Sequence, residues 1–210
     1  MLNFNNAQQI LPTVWRLPDF FLDPESVQRS YRSGEQAWTT QYHNRLLTPW
    51  GSNDLLESAL AQAPEQIHQL TGIKVQPQVI YASLDLSGSQ IMMHRLHLDI
   101  RCFIQISMGQ EPAPEMSTVF CNNLNVNAEH PTDYADISEF NPADLVKTKY
   151  RPNEAWLMIN EPRTFFGTAY EVAPNSVRET VNLHFGAVLP TNTQSCACDG
   201  VSVMLFAVSV

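Results

Sequence analysis

Between Arg178 and Leu189 the chain reads RETVNLHFGAVL, and its residues alternate. Val181, Leu183 and Phe185 fall on one face; Arg178, Thr180, Asn182 and His184 fall on the other. Strand side chains point to opposite faces with a period of two, so this segment reads as a β-strand with one face for a core. The other face joins arginine, threonine, asparagine and histidine, a lining that suits a polar ligand. Upstream, EAWLMIN (Glu154–Asn160) is short, apolar and bounded by Asn153 and Pro162, which marks a second, buried strand.

The same reading predicts strands over Val75–Leu86, Ile91–His97, Cys102–Met108, Ser117–Asn122, Phe165–Glu171 and Val201–Val210. Eight strands in all suit a jelly roll. Ahead of them lie an early strand and turn in LPTVWRLPDFF and a helix opened by Asp23-Pro24-Glu25 and running to about Arg32. A second helix is capped by Ser52-Asn53-Asp54, and a third restarts at Ala63-Pro64-Glu65 and stops at Gly72. The stretch Gln36–Trp50 reads as an irregular loop near a pocket mouth, and Asn123–Lys149 as a polar, acidic insert over it. The expected fold is therefore mostly β, a jelly roll or sandwich with N-terminal α-helices packed on one outer sheet. One domain spans residues 1–210, with a helical part over 1–72, a β core over 73–210 and an insert at about 123–149.

Of the 210 residues, 44% are hydrophobic and 16% charged, as in a folded soluble chain. A net charge of −9 without any basic run argues against a nucleic-acid partner. No stretch of about 18 apolar residues predicts a membrane span. The start lacks a charged segment followed by an apolar block, so no signal peptide is read and the cytoplasm is the expected location. Cys102, Cys121, Cys196 and Cys198 lack the paired spacing of a zinc site and are expected as free thiols. Oligomeric state leaves no trace in the sequence.

His97-Leu98-Asp99 places an imidazole and a carboxylate two residues apart. On a strand such residues share a face and can converge on one ion, and with a distant histidine they form the facial set that leaves positions open on Fe(II). With six histidines and 21 acidic residues in the chain, the pair alone is a weak signal. His94 lies three residues earlier, out of phase with it. Arg178 carries a fork suited to a carboxylate, unless it is spent in an ion pair with Glu179 or Glu171. Thr180 shares its face. Tyr81, on the strand before the pair, has a hydroxyl to donate.

The order of these elements resembles the double-stranded β-helix of the Fe(II)/2-oxoglutarate oxygenases. Lys149-Tyr150-Arg151-Pro152-Asn153 is similar to that family's K-x-x-P-N run, Ser117–Phe120 to its Gly-Thr-x-Phe, and DFFLDPES to its way into the fold. The resemblance implies a cupin-like barrel that hydroxylates a small molecule or side chain. His97 and Asp99 would hold iron, Arg178 the far carboxylate of 2-oxoglutarate, and Thr180 and Tyr81 would assist. The family's distal His-Gly, twelve residues before the arginine, reads Phe166-Gly167 here. Three explanations stay open. In the first, His184 supplies the third ligand, although at about 3.3 Å per residue it lies roughly 20 Å along the strand from Arg178. In the second, iron is held by His97, Asp99 and water. Or the metal site is lost and the barrel kept as a non-catalytic binding module. An unrelated sandwich, in which His97, Asp99 and Arg178 share no cavity, is the further alternative. Nothing in the loops specifies a substrate.

Overall fold

The computed structural model describes residues 2–33, 38–42, 44–48, 53–109, 116–122, 134–161, 164–168 and 170–188. Its long central strands are β5 (Val75–Asp85) and β13 (Arg178–Ala187), paired with Arg178 opposite Asp85 and Asn182 opposite Tyr81. On its other edge β13 pairs with β7 (Ile100–Ser107), which sets Asn182 opposite Gln105. The larger sheet has eight strands in the order β1 (Gln8–Leu11), β2 (Val14–Leu17), β11 (Ala155–Ile159), β7, β13, β5, β4 (Arg45–Leu47), β3 (Thr39–Tyr42). The smaller sheet runs β10 (Leu145–Lys147), β8 (Thr118–Asn122), β12 (Thr164–Thr168), β6 (Met93–His94), β9 (Tyr134–Ala135). Every pairing among these strands is antiparallel. The expected mostly β fold with helices on one outer sheet is what the chain forms.

Alternation along the strands distributes the core. Val181, Leu183 and Phe185 of β13 pack outward with Ile104, Ile106 and Leu157 against helices α1 (Pro24–Arg32) and α2 (Asp54–Thr71). The inner faces of the two sheets meet in a second cluster, which joins Phe103, Trp156 and Met158 of one sheet to Phe120 and Phe166 of the other. Each fully buried apolar side chain of this size contributes about 1.5–3 kcal/mol, so these two layers hold the sandwich together. No helix among the described residues is long and apolar enough to cross a membrane.

Four expectations need correction. Residues 54–71 form one helix, not two. Asn53 caps it by accepting from the N–H groups of Leu55 and Leu56, both at 3.0 Å, and Gly72 ends it at φ +75°. Pro64 sits inside the helix, because the buried stripe Leu56, Ala59, Leu60, Ala63 and Ile67 runs unbroken past it. Burying that stripe outweighs the one hydrogen bond that proline removes. The segment read as an irregular loop supplies β3 and β4, a hairpin that extends the larger sheet beyond β5. The described part of the insert supplies β9 and β10, the two edges of the smaller sheet. Finally, Ile91–His97 yields only the two-residue β6. Leu96 turns into the inter-sheet cluster, and the backbone then closes a turn in which Ile100 N–H donates to His97 O at 2.9 Å. The expected strand Val201–Val210 and Cys196 and Cys198 lie outside the described residues; Cys102 and Cys121 are buried.

Candidate functional site

The polar face of β13 points between the sheets, and Arg178 is buried there, 1% exposed. Its register partner Asp85 receives Arg178 Nη1 on Oδ2 at 2.8 Å. Arg178 Nη2 donates to Gln105 Oε1 and Thr118 Oγ1, both at 2.8 Å, and Nε donates to the Met116 carbonyl at 2.9 Å. A buried guanidinium is tolerated only when paired and hydrogen-bonded, and this one is. It is indeed spent in an ion pair, with Asp85 instead of Glu171 or Glu179. Glu179 is on the opposite face of the strand, where it accepts from Tyr31 and Arg32 of α1.

Asp85 serves a second guanidinium. Arg45, its neighbour on β4, brings Nε to 3.1 Å from Asp85 Oδ1. Next to this ion triad runs a neutral ladder. Thr180 Oγ1 and Ser83 Oγ are 2.7 Å apart, Asn182 Nδ2 donates to Thr180 at 3.1 Å, and Gln105 Nε2 donates to Asn182 Oδ1 at 3.2 Å. Thr180 is thus engaged within the ladder.

Further along the interior the lining turns aromatic. His184 Nε2 lies 3.4 Å from Tyr81 Oη, and its ring packs 5.0 Å from that of Phe103. His94 faces Phe166, its register partner across β6 and β12, with ring centroids 4.2 Å apart. Phe166 in turn packs 5.0 Å from Phe103, and Leu96 belongs to the same cluster. His94 Nδ1 lies 2.9 Å from the Met92 carbonyl, which makes it the protonated nitrogen of the neutral ring. Burial, joined by the charges of His94 and Arg45, lowers the His184 pKa to about 4. His94 is lowered for the same leading reason, burial. Burial also raises the Tyr81 phenol. Both rings are therefore neutral at pH 7.

His97 and Asp99 are elsewhere. They sit on the turn between β6 and β7, with side chains 76% and 78% exposed and His97 Nδ1 3.1 Å from Asp99 Oδ2. His97 lines a surface groove with Arg95, Arg101, Asn160 and Glu161, a groove that neither Arg178 nor Tyr81 lines. The structure brings Arg178, Thr180, Tyr81 and His184 into one interior and leaves the His97–Asp99 pair outside it. Among the described residues no group of three or more His, Cys, Asp or Glu side chains is placed to hold a metal ion. An iron centre of the facial type needs three such donors. The described residues do not fit one.

Sequence reasoning missed Asp85, Arg45 and the inward role of His94. Asp85 was open to detection, since Tyr81, Ser83 and Asp85 share one face of β5 by alternation. Arg45 was hidden in a stretch with no periodicity.

No protein-family model matches the sequence, and no curated protein matches it significantly. Solved structures do. HygX from Streptomyces hygroscopicus, with nickel, 2-oxoglutarate and hygromycin B bound, superposes with a TM-score of 0.64 over 83% of each chain at 9% identity. The chain has the fold of the 2-oxoglutarate and iron oxygenases. The non-heme alpha ketoglutarate dependent carbocyclase SnoK from nogalamycin biosynthesis gives 0.63 at 9% identity, covering 83% of this chain and 79% of its own. A 2OG-Fe(II) oxygenase family protein from Burkholderia pseudomallei gives 0.59 at 8% identity, covering 83% and 84%.

Proposed function

We propose that this chain is a non-catalytic small-molecule-binding barrel, which keeps the oxygenase fold and has lost the iron site. One observation carries the reading. Among the described residues, the inward groups that meet at Phe166 are His94, Leu96, Phe103 and Phe120, a set with one imidazole and no carboxylate. By its resemblance to the family, Phe166 stands where the distal histidine is expected. His94 and Leu96, two residues apart, then stand where the histidine and acid of an H-x-D would face it. Arg178, the expected anchor of 2-oxoglutarate, already carries Asp85 on one arm. A cosubstrate carboxylate would have to displace an intramolecular one.

The second reading is an Fe(II)/2-oxoglutarate oxygenase of unknown substrate. It is favoured by the cofactors in the similar HygX structure and by an arginine at the expected place on β13. In it His97 and Asp99 hold iron, while Arg178, Thr180 and Tyr81 bind the cosubstrate. Anaerobic calorimetric titration with Fe(II), with and without 2-oxoglutarate, separates the two. The binding-module reading predicts no saturable iron binding at micromolar concentrations. Micromolar binding, about −8 kcal/mol, that is abolished by Asp99→Ala would establish the oxygenase reading instead.

A further inference from the structure

Arg178, Asp85 and Arg45 form a row across the neighbouring strands β13, β5 and β4. Asp85 stands opposite Arg178 on one edge of β5 and opposite Arg45 on the other. Its side chain is 1% exposed and lies between the two guanidiniums. Oδ2 accepts from Arg178 Nη1 at 2.8 Å, and Oδ1 is 3.1 Å from Arg45 Nε. Neutral acceptors hold the rest of the Arg178 fork. Gln105 Oε1 and Thr118 Oγ1 take Nη2, and the Met116 carbonyl takes Nε. Thr118 Oγ1 donates in turn to Gln105 Oε1 at 2.6 Å, which fixes both acceptors. The position beside Nη1 is filled by a carboxylate, the group a guanidinium binds best, and the chain itself supplies it.

The backbone around Asp85 is tied down on every side. The ladder continues on both edges of β5, with Leu84 opposite Glu179 and Leu46, and Ser83 opposite Thr180 and Leu47. Past Asp85 the chain is fastened to the turn between β3 and β4. Leu86 N–H donates to the Asn44 carbonyl at 2.7 Å, and Asn44 Nδ2 donates to the Ser87 carbonyl at 2.8 Å. Asp85 therefore cannot swing aside without breaking the ladder. A carboxylate already ordered by the fold outcompetes a dissolved one, which would have to lose its freedom of motion to bind.

We propose that Asp85 is an internal ligand, whose carboxylate permanently occupies the carboxylate position between Arg178 and Arg45 and bars dissolved carboxylates, 2-oxoglutarate included, from this end of the barrel. A molecule bound by the barrel is therefore selected without an acid group on Arg178. The proposal concerns the arginine end alone and holds whether or not iron binds at the other.

The test is chemical rescue on the full chain in EDTA. Asp85→Ala removes the carboxyl group and keeps Cβ, so the gap it leaves is about the size of a formate ion. Melting and refolding are followed in sodium formate and in sodium chloride at equal ionic strength. Formate at tenfold over its Kd is expected to raise the melting temperature of Asp85→Ala by about 3–6 °C relative to chloride, and to do so saturably. The wild type and Asp85→Asn, in which the position stays filled, are expected not to respond. If Asp85→Ala is unfolded in chloride, recovery of its fold in formate is the same result. An equal response to the two salts, or an equal formate effect on all the proteins, overturns the proposal. If Asp85→Ala folds in neither salt, 2-oxoglutarate titrated into the wild type by ligand-observed NMR decides: saturable binding overturns the proposal, and none supports it. Micromolar Fe(II) binding by the wild type beside the expected formate result overturns the iron-free reading and leaves the internal ligand standing.

Discussion

Asp85 holds two guanidiniums apart in the interior, and its removal leaves both uncompensated. Breaking a buried pair by deleting one partner typically costs about 3–5 kcal/mol, much more than an exposed pair is worth. Asp85→Ala is therefore expected to lower stability by that order, read as a lower urea midpoint at unchanged slope, while Glu161→Ala on the surface stays within about 0.5 kcal/mol. A midpoint for Asp85→Ala like that of Glu161→Ala would show that the triad is not structural. His184 gives a pH signature. Its folded pKa of about 4 lies below the ordinary 6.5 because burial disfavours the imidazolium. Between those values the unfolded chain binds the proton and the folded one does not, so stability rises with pH across that window. Acidification from pH 6.5 to 4 is expected to cost a few kcal/mol through this residue. Melting curves of the wild type and His184→Gln should accordingly converge as pH falls, and parallel curves would contradict the assignment.

The contact between β12 and the segment leading into β6 depends on Gly167. A Cβ there would meet the Ile91 carbonyl oxygen at 2.8 Å and the Met92 carbonyl oxygen at 2.9 Å, both backbone atoms that cannot swing aside. Gly167→Ala is expected to destabilise the protein by about 1–3 kcal/mol, as overpacking does, and to shift the His94 resonances in NMR spectra. Unchanged stability would mean that the two strands are not held this close. The glycine of the expected His-Gly pair was thus legible by position, though its reason is a backbone crossing that no sequence displays. Long alternating strands such as β5 and β13 were legible because a period of two survives over ten residues. β6 was not, because two residues carry no period and Leu96 breaks the ladder to join the core. In α2, Pro64 read as a helix start because proline favours the first turn; only the stripe from Leu56 to Ile67 reveals the continuous helix. The H-x-D at His97 and Asp99 was legible as letters only. Its exposure depends on where the turn after β6 falls, and that depends on Leu96.

At the scale of the molecule the two sheets enclose an interior that is ionic at the Arg178 end and aromatic at the Phe166 end, with His94 and His184 between. On the proposed reading, carbon fills the place where the family resemblance puts a metal ligand. Changing that position should restore a donor set. Leu96→Asp with Phe166→His would place an acid and a second imidazole around His94, three donors where the described residues offer one. The decisive measurement is anaerobic Fe(II) calorimetry on the wild type beside this double variant, checked for folding by its melting curve. A barrel without an iron site gives no saturable binding for the wild type and measurable, saturable binding for the variant. Micromolar iron binding by the wild type, unaltered by the two substitutions, would contradict it.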